Sequence, residues 1–313
     1  MRFSRSVHCV MNTTSSVTSY KAHRAIFEVY FDYVQHYGGS IYIASLLQLT
    51  SELGLPVSTI RSALCRMTSQ GWFERSVENN RSYYALTRMG RERLEEARPR
   101  IFAHHSSRWD GQWTILTYSL PERLRHHRDR LRHELNWLGF GPLNSATWIS
   151  PKAVVEVTLR HLAIRKLDAH VQIFRGHQVS GLTNTALVRR CWDLDAIQTQ
   201  YRHFINAWEP RRQDYAAKFR RGQPPPENVC FATRIHLLHQ FGEFLHNDPE
   251  LPSELLPEGW LGDEAWHIFR DCYLLLAERA LHYFEHIFVG PSHTQKEQQE
   301  GRQRVLQGFY EAV

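Results

Sequence analysis

The chain has 313 residues, of which 42% are hydrophobic and 12% aromatic, the make-up of a folded protein of two or three domains and not of a disordered one. A formal charge of +6 is compatible with an anionic partner, and nineteen histidines make that charge climb below neutral pH. A transmembrane helix is excluded because no apolar run reaches the roughly 18 residues one needs, and five widely spaced cysteines without a C-x-x-C pair argue against structural zinc and a disulfide framework, which fits a reducing cytoplasm.

Residues 1–20 carry a little basic charge and no apolar core, so they read as a disordered tail and not as a secretory signal. Residues 21–100 carry the pattern of a winged helix-turn-helix. A first helix over 21–37 is closed by Gly38-Gly39, and a second spans 41–49 and stops before Gly54, a residue suited to the left-handed turn after a helix. Pro56 suits the first turn of a third helix, where its missing N–H costs nothing. That helix places Val57, Ile60, Leu64 and Met67 on one face and Ser58, Thr59, Arg61, Ser62, Cys65 and Arg66 on the other. Short polar side chains interspersed with arginines let a helix approach a major groove. Gly71 ends it, and two aromatic strands near Trp72-Phe73 and 82–84 flank a hairpin tip, the wing, at 77–81 with Arg81. Thr87 is placed to cap a charged helix reaching Arg98, with Pro99 marking the approximate domain edge. Between Pro56 and Arg100, nine arginines stand against five glutamates, an excess of four that suits phosphate neutralisation. Two helices and a hairpin also serve as pure protein-docking modules, so the pattern alone leaves that alternative open.

Residues 101–184 begin a second unit. Strands are expected at 112–118, 146–149 and 169–174, with helices over 122–138 and after Pro151, a β-α-β-α-β order that points to a ferredoxin-like α/β domain. From 185 to 313 the periodicity is helical, with helices expected at 186–209, 231–246, 264–288 and 295–310. The whole is α+β and multidomain. The basic run Arg211-Arg212, Lys218, Arg220-Arg221 before three prolines reads as a solvated loop, with an anion site as the alternative.

Glu278, His282 and His286 fall four apart on one helix, but the flanking Tyr283, Phe284 and Ile287 make this a packed surface and not a metal site. His236 with His239, and the pairs His104-His105 and His126-His127, read the same way. Asp193 and Asp195 fit a helix start better than acid–base work. No nucleophile elbow, phosphate loop or kinase signature is present, so no catalytic residue is assigned.

These residues together resemble the PaaX-type transcriptional repressors of phenylacetic acid degradation. The likeness is carried by 36–39 (HYGG) with 41–43, by 59–67 (TIRSALCRM), Gly71-Trp72 and 81–84, by 109–113 (WDGQW), 137–143 (WLGFGPL) and 148–151 (WISP), and by 191–194 (CWDL) and 247–257 (NDPELPSELLP). The resemblance implies a homodimeric repressor that binds a double-stranded DNA operator and releases it when an aryl-acyl-CoA effector, typically phenylacetyl-CoA, binds; it implies no cofactor. DNA contacts are expected from Ser58, Thr59, Arg61, Ser62, Arg66 and Arg81. The effector needs arginine near aromatic surface, for which Trp148, Trp192, Arg189, Arg190 and Arg234 are candidates. The family's wing carries a glycine and several arginines, whereas this one reads Val77-Glu78-Asn79-Asn80-Arg81, so its grip on phosphate is expected to differ. The competing reading is an acyl-CoA-handling enzyme, or a docking module, with a vestigial DNA-binding domain; three arginines kept on exposed elements speak against it.

Overall fold

In the computed structural model, residues 22–102, 108–164, 167–244, 247–291, 295–307 and 309 are described; the tail 1–20, His104 and His105 lie outside them. Helix α1 (Ala22–Asp32) buries Ala25, Ile26, Val29 and Tyr30, the three-to-four spacing of one helix face. It ends earlier than expected, in a short 3-10 turn at Val34–His36, and Gly38 and Gly39, both at positive φ (76° and 74°), reverse the chain. Strand β1 (Ser40–Tyr42) follows, taking two residues from the expected helix: Ile41 and Tyr42 pair with Tyr84 and Tyr83, and the ladder buries Ile41 completely.

Helices α2 (Ile43–Ser51) and α3 (Val57–Ser69) are joined by a turn in which Gly54 takes φ 76°. Pro56 stands just outside α3, with extended backbone, and not within its first turn. Strands β2 (Phe73–Glu78) and β3 (Arg81–Leu86) form a hairpin, and the three-stranded sheet has the order β1-β3-β2. The hairpin tip is narrower than expected: Glu78 pairs with Arg81, leaving Asn79 and Asn80 as a two-residue loop at φ 49° and 60°. Asparagine tolerates the left-handed region that such a turn demands.

Helix α4 (Arg88–Phe102) opens with Thr87 Oγ1 accepting the Gly90 N–H at 3.3 Å, as expected of a cap. It does not stop at Pro99. Ile101 and Phe102 beyond the proline are buried, with Phe102 stacked on Phe31 at 5.5 Å, and that packing offsets the loss of one helical hydrogen bond.

The central region runs β4 (Trp113–Tyr118), α5 (Arg125–Trp137), β5 (Gly141–Pro142), β6 (Thr147–Ser150), α6 (Val155–Ile164) and β7 (Val171–Gly176). Its sheet is antiparallel in the order β5-β6-β4-β7. One face packs Leu116, Tyr118 and Trp148 against Leu131 and Leu135 of α5 and Leu162 of α6. The other face presents Trp113 and Ile149 to the helical part of the molecule. Strand β5 lies outside the expected strands, because two residues, Gly-Pro, carry no periodic signal.

The remainder is helical: α7 (Asn184–Cys191), α8 (Leu194–Arg220), α9 (Glu227–Phe244), α10 (Gly262–Leu275), α11 (Ala277–Ile287) and α12 (Gln295–Gln307). The helix expected over 186–209 is two, broken at Trp192-Asp193. Asp193 caps α8 by accepting the Ala196 N–H at 3.0 Å. The basic run expected as a loop is helical: α8 continues through Pro210 because Trp208, Tyr215 and Phe219 extend its apolar side onto the core. The single helix expected at 264–288 is likewise α10 and α11, broken at Leu276.

One hydrophobic core joins the first helices to the last. Tyr33 stacks on Phe284 at 4.8 Å and Phe102 lies 5.3 Å from Tyr273, all within one buried cluster reaching from Ala22 to Phe309. At its centre Arg234, 1% exposed, donates twice to Asp32 of α1 at 2.9 and 3.0 Å, and Tyr273 donates to the same carboxylate. The guanidinium also lies 3.8 Å from the Tyr273 ring centre. Among the described residues no helix is long and apolar enough to cross a membrane.

Candidate nucleic-acid interface and ligand cleft

Helix α3 divides into two faces. Ile60, Ala63, Leu64 and Met67 are buried against α1 and α2, while Ser58, Thr59, Arg61, Ser62 and Arg66 are exposed. The apolar face differs from the expected one in a single residue: Val57 is 45% exposed at the helix start, and Ala63 takes its place inside. The exposed hydroxyls stay close to the backbone. Ser62 donates to the Ser58 carbonyl at 2.9 Å, which leaves the face low and the arginines standing above it.

Beside α3, the hairpin is exposed along nearly the whole of β2. Arg81 lies over the Tyr42 ring with its guanidinium 5.5 Å from the ring centre. Arg75 donates to Ser82 Oγ at 2.8 Å across the hairpin. Thr87 Oγ1 bonds the Gly71 carbonyl at 2.6 Å, tying the end of the hairpin to the end of α3. Arg61, Arg66 and Arg81 are exposed, and none of them is paired with an acid among the described residues. Sequence reasoning passes over Arg75, which stands opposite Tyr84 in the hairpin.

The five effector candidates do not come together. Trp148 is 4% exposed and fills the face of the central sheet that packs on α5 and α6. Arg234 is locked on Asp32 in the helical core, where burial, which opposes its charge, is outweighed by the carboxylate. Trp192, Arg189 and Arg190 do meet. They line a cleft of about 290 Å³ with Asp193, Asp195 and Pro257. A second cleft of about 340 Å³ also borders Trp192 and is lined by Asn136 and Phe140 of the central region and Ala196, Ile197 and Gln200 of α8. Asn247 and Pro249 close it. Trp192 itself stacks on Trp113 at 6.4 Å and packs so closely on Gly141 that a Cβ there would stand 2.5 Å from its ring. It is a wall held in place by the central sheet.

Next to this seam the 247–257 segment grips the rest of the molecule. Arg100 of α4 donates to Glu250 at 2.8 Å, to the Trp137 carbonyl at 2.8 Å and to the Asp248 carbonyl at 3.0 Å, and Lys152 also bonds Glu250. Tyr201 donates to the buried Asp248 carboxylate, whose pKa burial raises above the ordinary range. His161 of α6 bridges Glu134 at 2.9 Å and Glu96 of α4 at 3.0 Å; those two hydrogen bonds outweigh burial and raise its pKa to about 9.

Two of the histidines weighed as ligands are held by carboxylates and a third is half-buried. His239 bonds Glu28 at 2.7 Å, His282 bonds Glu227 at 2.9 Å, and burial lowers His236 to about 4. Among the described residues no group of three His, Cys, Asp or Glu side chains is placed to hold a metal ion. Cys191 and Cys272 are pushed up to about 11 and 12 by burial, so neither is a ready nucleophile.

Comparison with known proteins accounts for most of the chain. Residues 21–90 match the family described as PaaX-like protein, residues 106–188 the PaaX protein central Cas2-like domain, and residues 192–286 the PaaX-like protein C-terminal domain. The sequence is 31% identical over 262 residues to the transcriptional repressor PaaX of Escherichia coli (strain K12), covering 82% of this chain and 80% of that protein. A solved structure, the uncharacterized protein Rv0674 from Mycobacterium tuberculosis, is similar at 24% identity and a TM-score of 0.46, over 75% of this chain and 88% of that one. The chain belongs to the PaaX family.

Proposed function

We propose that the protein is a transcriptional repressor of a phenylacetate-type catabolic operon, acting on cytoplasmic DNA as a homodimer and released from its operator by an aryl-acyl-CoA such as phenylacetyl-CoA. On this reading α2, α3 and the β2–β3 hairpin are a winged helix-turn-helix. The observation that carries it is the exposed face of α3, where two arginines and three short hydroxyls stand over a fully apolar inner face, beside a hairpin bearing a third unpaired arginine. Such a face admits the backbone into a major groove and offers guanidinium donors to guanine edges and phosphates. A two-fold dimer supplies the paired half-sites that one reader helix lacks. The sheet order β5-β6-β4-β7 with both helices on one face supports a ferredoxin-like central domain. The clefts around Trp192 offer the aromatic and arginine surface that an anionic thioester requires.

The test is fluorescence anisotropy on the duplex upstream of the chain's own coding region, with and without phenylacetyl-CoA. Arg61→Ala costs about 1–3 kcal/mol on that duplex and less on a scrambled one. Arg81→Ala weakens both alike and flattens the salt slope by about one. The reading is overturned if the protein prefers neither duplex, or if both substitutions leave binding unchanged.

A further inference from the structure

The last turns of α8 carry Arg211, Arg212, Lys218 and Arg220, and Arg221 caps the helix end. Two of these charges are spent internally: Arg212 on Glu209 at 2.7 Å and Asp271 at 3.5 Å, and Lys218 on Asp214 at 2.7 Å. Arg220 and Arg221 are exposed, and no acid among the described residues pairs with either. Some of this is ordinary, because cations at a helix end complement its dipole. Their placement is not explained that way.

After Gly222, at φ 68°, the chain passes through three prolines and reaches Asn228 at the start of α9. Asn228 donates to Glu52 at 3.1 Å, and Tyr283 donates to the other oxygen of the same carboxylate at 2.7 Å. Glu52 caps the end of α2 and opens the turn into α3, whose first residues Val57, Ser58 and Thr59 are exposed. Arg279 fixes the loop from behind by donating to the Pro225 carbonyl at 3.0 Å. Consecutive prolines cannot coil, so the link is stiff. It is also short: seven residues span at most about 24 Å, less than the roughly 34 Å of one turn of duplex. A groove-reading helix leads with its N-terminal end, and that is the end beside which this loop is anchored.

We infer that Arg220 and Arg221 form a second, sequence-independent contact with the backbone phosphates of the duplex that α3 reads. The inference rests on the proposed reading of α3. Two planar guanidinium groups on a rigid helix end match phosphate oxygens and carry no base information. The helical C-terminal part of the chain thereby takes part in holding DNA.

The experiment uses the full-length protein, the duplex from upstream of its own coding region, and a scrambled duplex of equal length. Anisotropy titrations over a salt series compare the wild type with Arg220→Gln/Arg221→Gln, the conservative Arg220→Lys/Arg221→Lys, and Arg61→Ala. The glutamine pair is expected to weaken both duplexes by the same factor and lower the salt slope by about 1.8, at about 0.9 for each phosphate no longer neutralised. The lysine pair keeps most of the slope. An unchanged slope in the glutamine pair, with Arg61→Ala still losing preference for the upstream duplex, overturns the second contact and leaves the reading of α3 standing. Absence of salt-dependent binding by the wild type overturns both. Both arginines are exposed, so melting temperatures within about 1–2 °C of wild type are expected and confirm that folding is intact.

Discussion

Replacing Asp32 by asparagine tests how firmly α1, with α2 and α3 packed on it, is fastened to the helical body. Asp32 is 3% exposed and accepts both hydrogen bonds of Arg234, which is 1% exposed, together with one from Tyr273. Asparagine has nearly the same shape but only one acceptor oxygen and no charge, so the guanidinium stays buried without a counter-ion. Breaking a buried pair in this way costs roughly 3–5 kcal/mol, and the retained acceptor puts Asp32→Asn near the lower end. At about 2.1 cal/mol/K of unfolding entropy per residue, a chain of 313 residues then loses roughly 4–6 °C in melting temperature. Urea unfolding at neutral pH, followed by both far-ultraviolet circular dichroism and tryptophan fluorescence, measures the loss. Because α1, α9, α10 and α11 share one buried cluster, the two probes are expected to report one transition that shifts as a unit. Replacing the partner as well, in Asp32→Asn/Arg234→Met, removes the orphaned charge and restores part of the loss. A cost below about 1 kcal/mol for Asp32→Asn, or a double variant that loses the simple sum of the two single ones, would show that the buried pair is not coupled.

His161 sets a pH dependence whose direction follows from its raised pKa. Its contribution is complete below the unfolded value near 6.5 and is lost as pH climbs through about 9, so the stability gap between wild type and His161→Gln should narrow steadily over that interval when urea midpoints are compared. A gap that widens with pH would contradict the two carboxylate bonds. Gly141→Ala places a methyl group 2.5 Å from the Trp192 ring and 2.9 Å from Cys191 Cβ, and is expected to cost about 1–3 kcal/mol and change the near-ultraviolet tryptophan signal. A melting temperature equal to wild type would show that Trp192 is free to move aside.

The parts of the molecule that sequence revealed are those where one residue type has one physical use. Gly54 and Gly71 stand at positive φ beside the ends of α2 and α3, and the alternation of Ile60, Leu64 and Met67 with Ser58, Arg61, Ser62 and Arg66 fixed which face of α3 is bare. The polar face was legible because helical period and burial agree there. Proline misled at Pro99 and at Pro56, which stands just outside α3. Pro99 and Pro210 both lie inside helices, because packing of Phe102 and of Trp208, Tyr215 and Phe219 outweighs a local penalty that acts on one turn. The ligand candidates fared unevenly for a related reason. An arginine in a helical sequence looks the same whether it meets water, as Arg189 and Arg190 do, or an aspartate two hundred residues away, as Arg234 does. Only Trp192 with its two preceding arginines, adjacent in the chain, could be brought to one cleft without knowing the fold.

The position of that cleft bears on how an inducer would act under the proposed reading. Asn247 and Pro249, which close the 340 Å³ cleft, alternate along the chain with Asp248 and Glu250, which hold Arg100. Arg100 lies near the end of α4, and α4 begins two residues after β3, the inner strand of the hairpin that carries Arg81. A ligand that parted Asn247 and Pro249 from Asn136 and Phe140 would therefore pull on the same loop that anchors α4. His161 gives α4 a second anchor through Glu96, and the Arg93 and Arg100 guanidinium groups, 4.0 and 4.4 Å from the Trp137 ring centre, give it a third. Under that reading the inducer acts by favouring a second placement of α4 and the hairpin, in which these attachments are remade. Moving such an equilibrium from 1:99 to 99:1 requires the ligand to prefer one placement about 10⁴-fold, or about 5.5 kcal/mol. A thioester carrying several negative charges and an aromatic group has enough contacts to supply that difference only if the seam opens for it; a ligand filling the cleft equally well in both placements would bind and release nothing.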